Sequence, residues 1–435
     1  MSNCETLYRQ KLTTPDKAME IIKSGDTLFH GLAIAEPPAL LAAAAARIRA
    51  ADLKRISVYS LLPLTHAAQT ILAPDLCDAV QPYSFFLSGH DRNLVKVGLN
   101  YFVPGYYHQL PRLITEFINV DVLITTVSPM DKAGYFTFGT VNDYTSTAAR
   151  RAKHLIVEVN QNMPRIFGDS LIHVSEVSAI VENHVPLMEI PAGAVGPADE
   201  AIGRIIAEMI PDGATIQLGF GGLPNAVGSL LGGHKDLGIH TEVFTSSMVD
   251  LIRKGVVNGR KKTLHPGKNI FTGAVGTKDM YDFMNDNPSL ESYPVSYTND
   301  PAVIARNDNM ISVNSILEVD LLGQCNAEYL DGSQFSGTGG QLDFVRGAFN
   351  ARGGKSILAF HSTARKGLIS RVVPRLDPGT VVTTPRMDTH FLVTEHGAVN
   401  LKGKSTKERA LDIISIAHPK FRDELLREAE NMYLI

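Results

Sequence analysis

One stretch, Ala214–Ser247, reads as strand, glycine turn, helix and second strand, and it constrains the fold of this chain more tightly than any other. Its first strand is Thr215–Leu218, which is short and mostly apolar. The turn Gly219–Gly222 then lacks the Cβ atoms that would keep a ligand away from the backbone. Pro224 suits the first turn of a helix because its missing N–H would have no partner there, so we expect a helix over Asn225–Leu231.

The second strand of this stretch is predicted over Gly238–Phe244, because a glycine opens it and β-branched and apolar residues fill it. Glu242 then lies near the carboxyl end of a strand, where open α/β sheets place their ligands. The free N–H groups at the start of the preceding helix suit an anion. Local chemistry leaves two alternatives open, because such a turn is also typical of a tight corner without a ligand and most glutamates are merely solvated.

A chain of 435 residues is too long to fold around one ordinary hydrophobic core, so we expect two domains of roughly 200 residues each. An apolar content of 44% with 20% charged residues is typical of a soluble globular protein. Lys and Arg number 41 against 45 Asp and Glu, which gives a net charge of -4. This near balance argues against nucleic acid or an anionic membrane as the main partner.

The three cysteines, Cys4, Cys77 and Cys325, are widely spaced, so neither a disulfide framework nor a zinc site is predicted, and a reducing cytoplasm fits. The first residues are polar and lack the apolar core of a signal peptide, and no sequence run reaches the roughly 20 apolar residues of a membrane span. The histidines lack metal-ligand spacing, and no Gly-x-Ser-x-Gly elbow is present. We therefore predict no metal, no tightly bound cofactor and no serine nucleophile.

Two segments about 190 residues apart share the order helix, glycine turn, strand, loop and helix, which predicts an internal duplication. The aligned pairs are Gly25 with Gly213, Thr27 with Thr215, Gly31 with Gly219 and, with one residue of slippage, Pro37 with Pro224. Ala33 and Ile34 stand where the second copy has Gly221 and Gly222. The second copy is therefore the better candidate for a close approach between backbone and ligand.

Strands alternate with helices along both halves, and this pattern predicts an α/β fold with two mostly parallel sheets. The join falls at Gly193–Glu200, where two glycines and a proline interrupt the pattern, so the predicted domains are residues 1–190 and 191–435. The predicted strands of the first half are Ile56–Ser60, Tyr83–Leu87, Val120–Val127 and Leu155–Val159. Those of the second half are Asn269–Thr272, Ile311–Leu322, Ser356–Phe360, Thr380–Thr384 and Phe391–Thr394.

Helical spacing of apolar residues predicts helices over Ala198–Met209, Gln341–Ala348 and Phe421–Asn431. A capping box over Ser405–Glu408 opens a further helix. The alanine-rich run Leu32–Ala46 is too short to span a membrane, so we interpret it as a buried helix.

Five stretches spread over much of the chain carry a family resemblance. They are Ile216–Val227, Leu237–Phe244, Val127–Gly139, Val313–Glu328 and Ser336–Ala348. Together they resemble the acetyl-CoA hydrolase/transferase family, in its 4-hydroxybutyrate and butyryl-CoA CoA-transferase branch. The resemblance implies two CoA-transferase-type domains, an active site in the cleft between them, and coenzyme A as a substrate.

The resemblance gives Glu242 the role of nucleophile. It would attack the acyl-CoA carbonyl, CoA would leave and return to the glutamyl carbonyl, and an acceptor acid would reverse the sequence, so ping-pong kinetics are expected. A second glycine turn, Gly337–Gly340, would help to stabilise the oxyanions that develop. The residues expected to contact CoA are Gly219, Phe220, Gly221, Gly222, Leu223, Leu317, Gly340 and Lys366. Those expected at the oxyanion or the substrate are Gln217 and Gly339.

Several of these residues have plain alternative interpretations from local chemistry alone. Gln217 is as typical of a strand amide paired with a neighbour, Leu317 of strand core, and Lys366 of solvated surface. The second glycine turn is also typical of a hairpin or a helix entry.

The expected reaction is a reversible transfer of CoA between short-chain carboxylates, with acetate as one partner and butyrate or 4-hydroxybutyrate as the other. An acyl-CoA hydrolase that uses the same glutamate is one alternative, and a non-catalytic ligand-binding protein of the same fold is another. Thr245–Ser247 stands where relatives carry an acidic, glycine-containing turn, which leaves the acyl preference open. We also expect a homodimer or a homotetramer.

Overall fold

The computed structural model describes residues 3–50 and 53–435. Contacts divide the chain into two units, the first formed by Met1–Ile190 with Ile270–Thr298 and the second by Pro191–Asn269 with Asn299–Ile435. Strand Leu290–Ser292 pairs with Phe167–Gly168, so the segment 270–298 contributes to the first unit. The predicted division into 1–190 and 191–435 has no such insertion.

The first unit is built on a seven-stranded sheet whose neighbouring strands all run parallel. In chain order the strands are β1 (Thr27–His30), β2 (Ile56–Ser60), β3 (Val80–Ser84), β4 (Tyr101–Phe102), β5 (Val122–Val127), β6 (His154–Val159) and β7 (Ala179–Glu182). Their spatial order is β7-β6-β5-β1-β2-β3-β4. The predictions of β2, β5 and β6 are confirmed to within two residues. The prediction of Tyr83–Leu87 is displaced, because the paired residues end at Ser84 and the apolar residues that follow enter the core.

Both faces of this sheet are buried, as parallel sheets require. Phe29 and Leu123 lie in one apolar cluster, whereas the alternate residues Leu28 and Ile124 lie in another. Helix α1 (Pro38–Ala50) belongs to the second cluster through Leu40 and its alanines. A buried helix is therefore confirmed, but it starts six residues after Leu32, where the predicted run begins. The other helices of this unit among the described residues are Asn3–Lys11, Pro15–Met19, Thr65–Gln69, Arg92–Lys96, Leu110–Glu116, Thr145–Arg151, Lys278–Met284 and Val295–Thr298. Short strands lie at Tyr135–Thr137, Phe167–Gly168, Leu171–His173, Asn269–Phe271, Gly273–Ala274 and Leu290–Ser292.

The second unit is built on a six-stranded sheet that is parallel except for its last hairpin. Its strands are β8 (Thr215–Leu218), β9 (Gly238–Ile239), β10 (Met310–Ser315), β11 (Lys355–Ala359), β12 (Phe391–Thr394) and β13 (Gly397–Asn400), in the spatial order β9-β8-β10-β11-β12-β13. Its main helices are α2 (Pro197–Met209), α3 (Gly222–Leu230), α4 (Ser246–Arg253), α5 (Gln341–Asn350), α6 (Thr406–Ser415) and α7 (Pro419–Asn431). The capping box is confirmed, because Ser405 Oγ and the Glu408 carboxylate cap each other's backbone N–H groups. The strand order and directions of the two main sheets confirm the predicted α/β fold with mostly parallel sheets.

Shorter elements complete the second unit. They are the helix Pro301–Ile304 and the strands Val243–Phe244, Glu318–Asp320, Cys325–Asn326, Tyr329–Leu330, Ser333–Gln334, Thr363–Ala364, Ile369–Ser370 and Val372–Val373.

Two strand predictions in the second unit are wrong in extent and one is wrong altogether. Ile311–Leu322 is two strands, because the chain leaves the ladder at Ile316-Leu317. Gly238–Phe244 is also two strands, separated at residues 240–242. Thr380–Thr384 is irregular, with a single isolated bridge between Thr384 and Cys325, and its two valines are more than one-third exposed.

The predicted duplication is reproduced in three dimensions. Strands β1 and β8 begin at the aligned residues Thr27 and Thr215, and each is flanked in its own sheet by the strand that follows its helix and by a later parallel strand. The glycines that precede them, Gly25 and Gly213, both have positive φ, at 87° and 78°. A left-handed conformation is easy only for glycine, which explains why both copies keep it.

Candidate active site

The candidate site lies at the carboxyl edge of the second sheet, where the order of the strands reverses. The chain passes from β8 through α3 to β9 on one side, whereas β10 flanks β8 on the other. Ligands of open α/β sheets bind at such a switch point. Glu242 follows β9 by three residues, so its side chain lies at this edge rather than within the ladder.

The Glu242 carboxylate is held by two hydrogen-bond donors from distant parts of the chain. Asn299 Nδ2 donates to Glu242 Oε2 at 2.6 Å, and the backbone N–H of Gly340 also donates to the carboxylate. A Cβ atom on Gly340 would overlap both Glu242 Oε2 and Asn299 Nδ2. The φ of Gly340 is -93°, an angle open to any residue, so glycine is required here for space and not for backbone conformation.

The environment of Glu242 favours a protonated carboxyl more than water would. Burial raises its pKa to about 7, and the negative charge of Asp343 acts in the same direction. The hydrogen bonds from Asn299 and Gly340 oppose this shift because they stabilise the charged form. Glu242 as a whole residue is partly exposed. A carboxylate whose pKa lies near neutrality at a sheet edge is typical of a functional site.

The first glycine turn joins β8 to α3 as predicted, but the helix begins at Gly222, three residues before the predicted start. Gly221 has φ of 132°, which a side chain would not tolerate. No side chain caps the start of α3 among the described residues, so its first N–H groups have no side-chain acceptor there. Phe220 is 49% exposed, whereas Leu223 is buried.

Gln217 is almost fully buried and paired with a neighbour. Its Nε2 donates to Asn314 Oδ1 at 3.2 Å, and Asn314 Nδ2 donates back to Gln217 Oε1 at 3.1 Å. This reciprocal pair joins the carboxyl ends of β8 and β10, next to Gly219. Gly339 lies beside Gly340 in the second turn, with a left-handed φ of 52°.

The remaining two predicted residues lie in other parts of the second unit. Leu317 is half-buried in the break between two strands, where its N–H donates to Asn326. Lys366 is exposed at the tip of the hairpin formed by Thr363–Ala364 and Ile369–Ser370, with φ of 58°. The structure therefore brings Glu242 and Gly340 into contact and leaves Lys366 on the surface.

Sequence reasoning did not identify Asn299 or Asp343. Asn299 precedes Asp300, whose side chain caps the short helix Pro301–Ile304, so the sequence signals a turn but not a partner 57 residues earlier. Asp343 lies three residues after Gly340, within the Ser336–Ala348 stretch that carries the resemblance. Its closeness in sequence to a predicted site residue was the only signal that could have identified it. Helix α4 begins at Ser246, and the hydroxyl groups of Thr245 and Ser247 lie 3.0 Å apart at its start.

Neither a membrane-spanning helix nor a metal-binding cluster is found in residues 3–50 and 53–435. No helix there is long and apolar enough to cross a membrane. No group of three or more His, Cys, Asp or Glu side chains is arranged to hold a metal ion in that part of the chain.

Comparisons with known proteins agree with this architecture. The solved structure of RipA from Yersinia pestis has a TM-score of 0.97 and 50% sequence identity, and the match covers 100% of both chains. A succinyl-CoA:cyclohexane-1-carboxylate CoA transferase from Geobacter metallireducens is 44% identical over 428 residues, which is 98% of this chain and 97% of the relative. A 4-hydroxybutyrate coenzyme A transferase from Clostridium kluyveri is 43% identical over 434 residues, or 99% of each chain.

Two family descriptions also match. The acetyl-CoA hydrolase/transferase N-terminal domain matches residues 1–190, and the C-terminal domain of the same family matches residues 276–429. The chain therefore belongs to the acetyl-CoA hydrolase/transferase family.

Proposed function

We propose that this protein is a CoA-transferase that moves CoA reversibly between short-chain carboxylates through a covalent intermediate on Glu242. The single observation that carries the proposal is the Glu242 carboxylate at the sheet edge, held by the amide of Asn299 and the N–H of Gly340. The full-length similarity to named CoA transferases supports the reaction class. Coenzyme A is then a substrate and not a resident cofactor.

The proposed chemistry begins with Glu242 as the nucleophile. A carboxylate oxygen attacks the acyl-CoA carbonyl and a C–O bond forms. The C–S bond then breaks, so CoA leaves as a thiolate and an acyl-glutamyl anhydride remains on the protein. The thiolate then attacks the glutamyl carbonyl and releases the first carboxylate, which leaves a glutamyl-CoA thioester. A second carboxylate reverses both steps, so the two half-reactions give ping-pong kinetics.

Asn299 and Gly340 donate hydrogen bonds to the attacking carboxylate and to the oxyanions that form during the reaction. Donors already in place at a developing charge need no rearrangement during the reaction. One such donor lowers the activation free energy by about 3 kcal/mol. Glycine at position 340 allows the backbone N–H to approach within hydrogen-bond range. We assign Gln217 and Gly339, which flank this region, to the substrate or the oxyanion.

The CoA contacts we propose are those expected from the sequence. The uncapped start of α3 supports a role for Gly219, Phe220, Gly221, Gly222 and Leu223, because free N–H groups at a helix start bind anions. Gly340 and the half-buried Leu317 continue this surface in our proposal. Lys366, exposed on its hairpin, is proposed as a charge partner for the phosphates of CoA.

Acetate is proposed as one carboxylate, and butyrate or 4-hydroxybutyrate as the other, in a homodimeric or homotetrameric enzyme. The direct test incubates the protein with butyryl-CoA, with and without acetate, and follows each CoA species by chromatography. We expect acetyl-CoA to form only when acetate is present, with parallel double-reciprocal plots. Release of free CoA at the same rate without acetate would identify a hydrolase. Binding of butyryl-CoA without any conversion would identify a non-catalytic protein.

A further inference from the structure

A buried glutamate, Glu328, organises the segment that leads into the second glycine turn. It is 3% exposed. Its Oε2 accepts a hydrogen bond from Gln334 Nε2 at 2.8 Å, and its Oε1 accepts one from Thr338 Oγ1 at 3.0 Å. Its own carbonyl accepts the backbone N–H groups of Phe335 and Ser336 at 2.7 and 3.2 Å. Glu328 thus receives four hydrogen bonds from residues 334–338.

The position of Glu328 is itself fixed by the chain around it. Asn326 Oδ1 accepts the N–H groups of Glu328 and Tyr329 at 3.1 and 2.9 Å. A tight hairpin, with left-handed Asp331 and Gly332 at its tip, then returns the chain so that Gln334 lies opposite Tyr329. The carboxylate of Glu328 is therefore a fixed acceptor within a closed loop of chain.

The other side of the glycine turn is anchored to the sheet. Gln341 Nε2 donates to the carbonyl of Ser315 at 2.8 Å, and Thr384 Oγ1 donates to Gln341 Oε1 at 3.0 Å. Only Gly339 and Gly340 lie between this anchor and Thr338. Two glycines have no side chains to restrict them, so the position of the Gly340 N–H depends on both anchors.

We propose that Glu328, acting through the hydroxyl of Thr338, is a positioning residue that holds the Gly340 N–H against the Glu242 carboxylate. This proposal rests on the proposed function, because it assigns Glu328 to the reaction that Glu242 performs. Hydrogen bonds to a buried carboxylate are stronger than those between neutral groups, which suits a fixed anchor. A displacement of 1 Å at a reacting group costs roughly 100-fold in rate, so a small shift of the turn is sufficient to impair the reaction.

The test uses variants that cut or keep the single contact between Thr338 and Glu328. Thr338→Val keeps the shape of the side chain and removes the hydroxyl, whereas Thr338→Ser keeps the hydroxyl. Tyr329→Phe is the matched control, because it removes another hydrogen bond of the same hairpin, from Tyr329 Oη to the carbonyl of Gly332 at 2.8 Å. Glu328→Ala removes the hydrogen bonds from both Gln334 and Thr338. Its kcat is compared only if its melting temperature equals that of the protein without substitutions.

We expect Thr338→Val to lower kcat for CoA transfer by about tenfold to 100-fold, with little change in KM for the acyl-CoA. Thr338→Ser should restore kcat to within about threefold, and Tyr329→Phe should match the unmodified protein. The rate at which acyl-CoA modifies Glu242 should fall with kcat. A lower melting temperature with unchanged kcat in Thr338→Val would reduce Glu328 to a structural role and overturn the proposal.

The two proposals fail in different ways. If acyl-CoA does not react with Glu242 in the protein without substitutions, the proposed function fails. If Glu242 is modified at the same rate in Thr338→Val as in the unmodified protein, only the positioning role fails.

Discussion

Five parallel strands of each sheet share their order and register, β2-β1-β5-β6-β7 in the first unit and β9-β8-β10-β11-β12 in the second, yet the two sheets differ in the residues at their carboxyl edges. Counted from the paired residues of β1 with β2 and of β8 with β9, Leu61 of the first unit takes the position that Glu242 has in the second. The same count through the next two strands of each sheet places Glu158 in the first unit where Ala359 stands in the second. The first unit lacks the proposed nucleophile, and the second unit lacks this other carboxylate.

The carboxylate of Glu158 closes a helix start in the first unit. Its Oε2 accepts the N–H of Leu40 in the first turn of α1 at 3.0 Å, and its Oε1 accepts Asn183 Nδ2 at 2.7 Å. Burial raises the pKa of Glu158 to about 7, and these hydrogen bonds oppose the shift. The equivalent helix α3 of the second unit starts at Gly222 without a side-chain cap.

The difference shows how one duplicated framework serves two purposes. A helix start attracts an anion in either copy. The first unit supplies the carboxylate of Glu158 from its own chain, whereas the second unit has no side-chain cap at this helix start. In the proposed function an external ligand takes that position beside Glu242. We therefore expect substitutions at equivalent positions to affect stability in the first unit and reaction rate in the second.

The largest effect is expected from Glu242→Gln, which keeps the size of the side chain and removes the nucleophile. Loss of a nucleophile that forms a covalent intermediate lowers kcat by about 10⁴-fold or more. Steady-state transfer of CoA from butyryl-CoA to acetate measures the loss, with the melting temperature as the control for folding. Residual activity above one-tenth of the original would contradict the assignment.

Gly340→Ala should lower kcat by about 100-fold, because the new Cβ displaces the Glu242 carboxylate and the Asn299 amide from each other. Gly232→Ala is the matched control, since a Cβ there meets nothing within 4 Å. Initial rates of both variants with saturating acyl-CoA provide the comparison. Equal rates in the two variants would show that the close approach at Gly340 has no role in the reaction.

Glu158→Ala should reverse this pattern by lowering stability and sparing the reaction. The substitution leaves the N–H of Leu40 and the amide of Asn183 without their acceptor, which costs about 1 to 3 kcal/mol for buried groups. Urea unfolding measures the loss, and kcat for CoA transfer should stay within about twofold. A stable variant with impaired transfer would break the division of roles between the two units.

The smallest effect is expected in the pH profile. In the proposed reaction Glu242 attacks only as a carboxylate. Its pKa is raised to about 7, so kcat/KM should fall as the pH drops below about 7. Burial is the larger cause of this raised pKa, and the negative charge of Asp343 raises it further. Asp343→Asn removes the charge, so the acid limb of the profile should move to lower pH. A limb that moves to higher pH, or does not move, would exclude this influence.

Much of the fold could be predicted because it depends on local pattern. The strand Thr215–Leu218, the glycine turn after it and the capping box at Ser405 all follow from neighbouring residues, and each lies where predicted. The strand over Gly238–Phe244 was predicted as continuous because its residues favour a ladder. In the structure His240 still donates its N–H to Ile216 of β8, whereas Thr241 and Glu242 lie outside both strands. The Glu242 carboxylate takes Asn299 and Gly340 as partners.

The site could be predicted only in part because its contacts join residues far apart in sequence. Asn299 carries no local signal for Glu242, and Gln217 gives none that Asn314 is its partner 97 residues later. The role of Glu328 likewise depends on a hairpin that returns the chain to it. Periodicity and turn chemistry describe neighbours along the chain, whereas these pairs follow from tertiary packing.

The most direct test of the central claim is mass spectrometry of the protein after incubation with acetyl-CoA or butyryl-CoA and treatment with hydroxylamine or borohydride. Either reagent captures an activated acyl group on a carboxylate. We expect modification confined to the peptide that contains Glu242, and none in Glu242→Ala. Modification of a different residue, or no modification while CoA transfer proceeds, would contradict it.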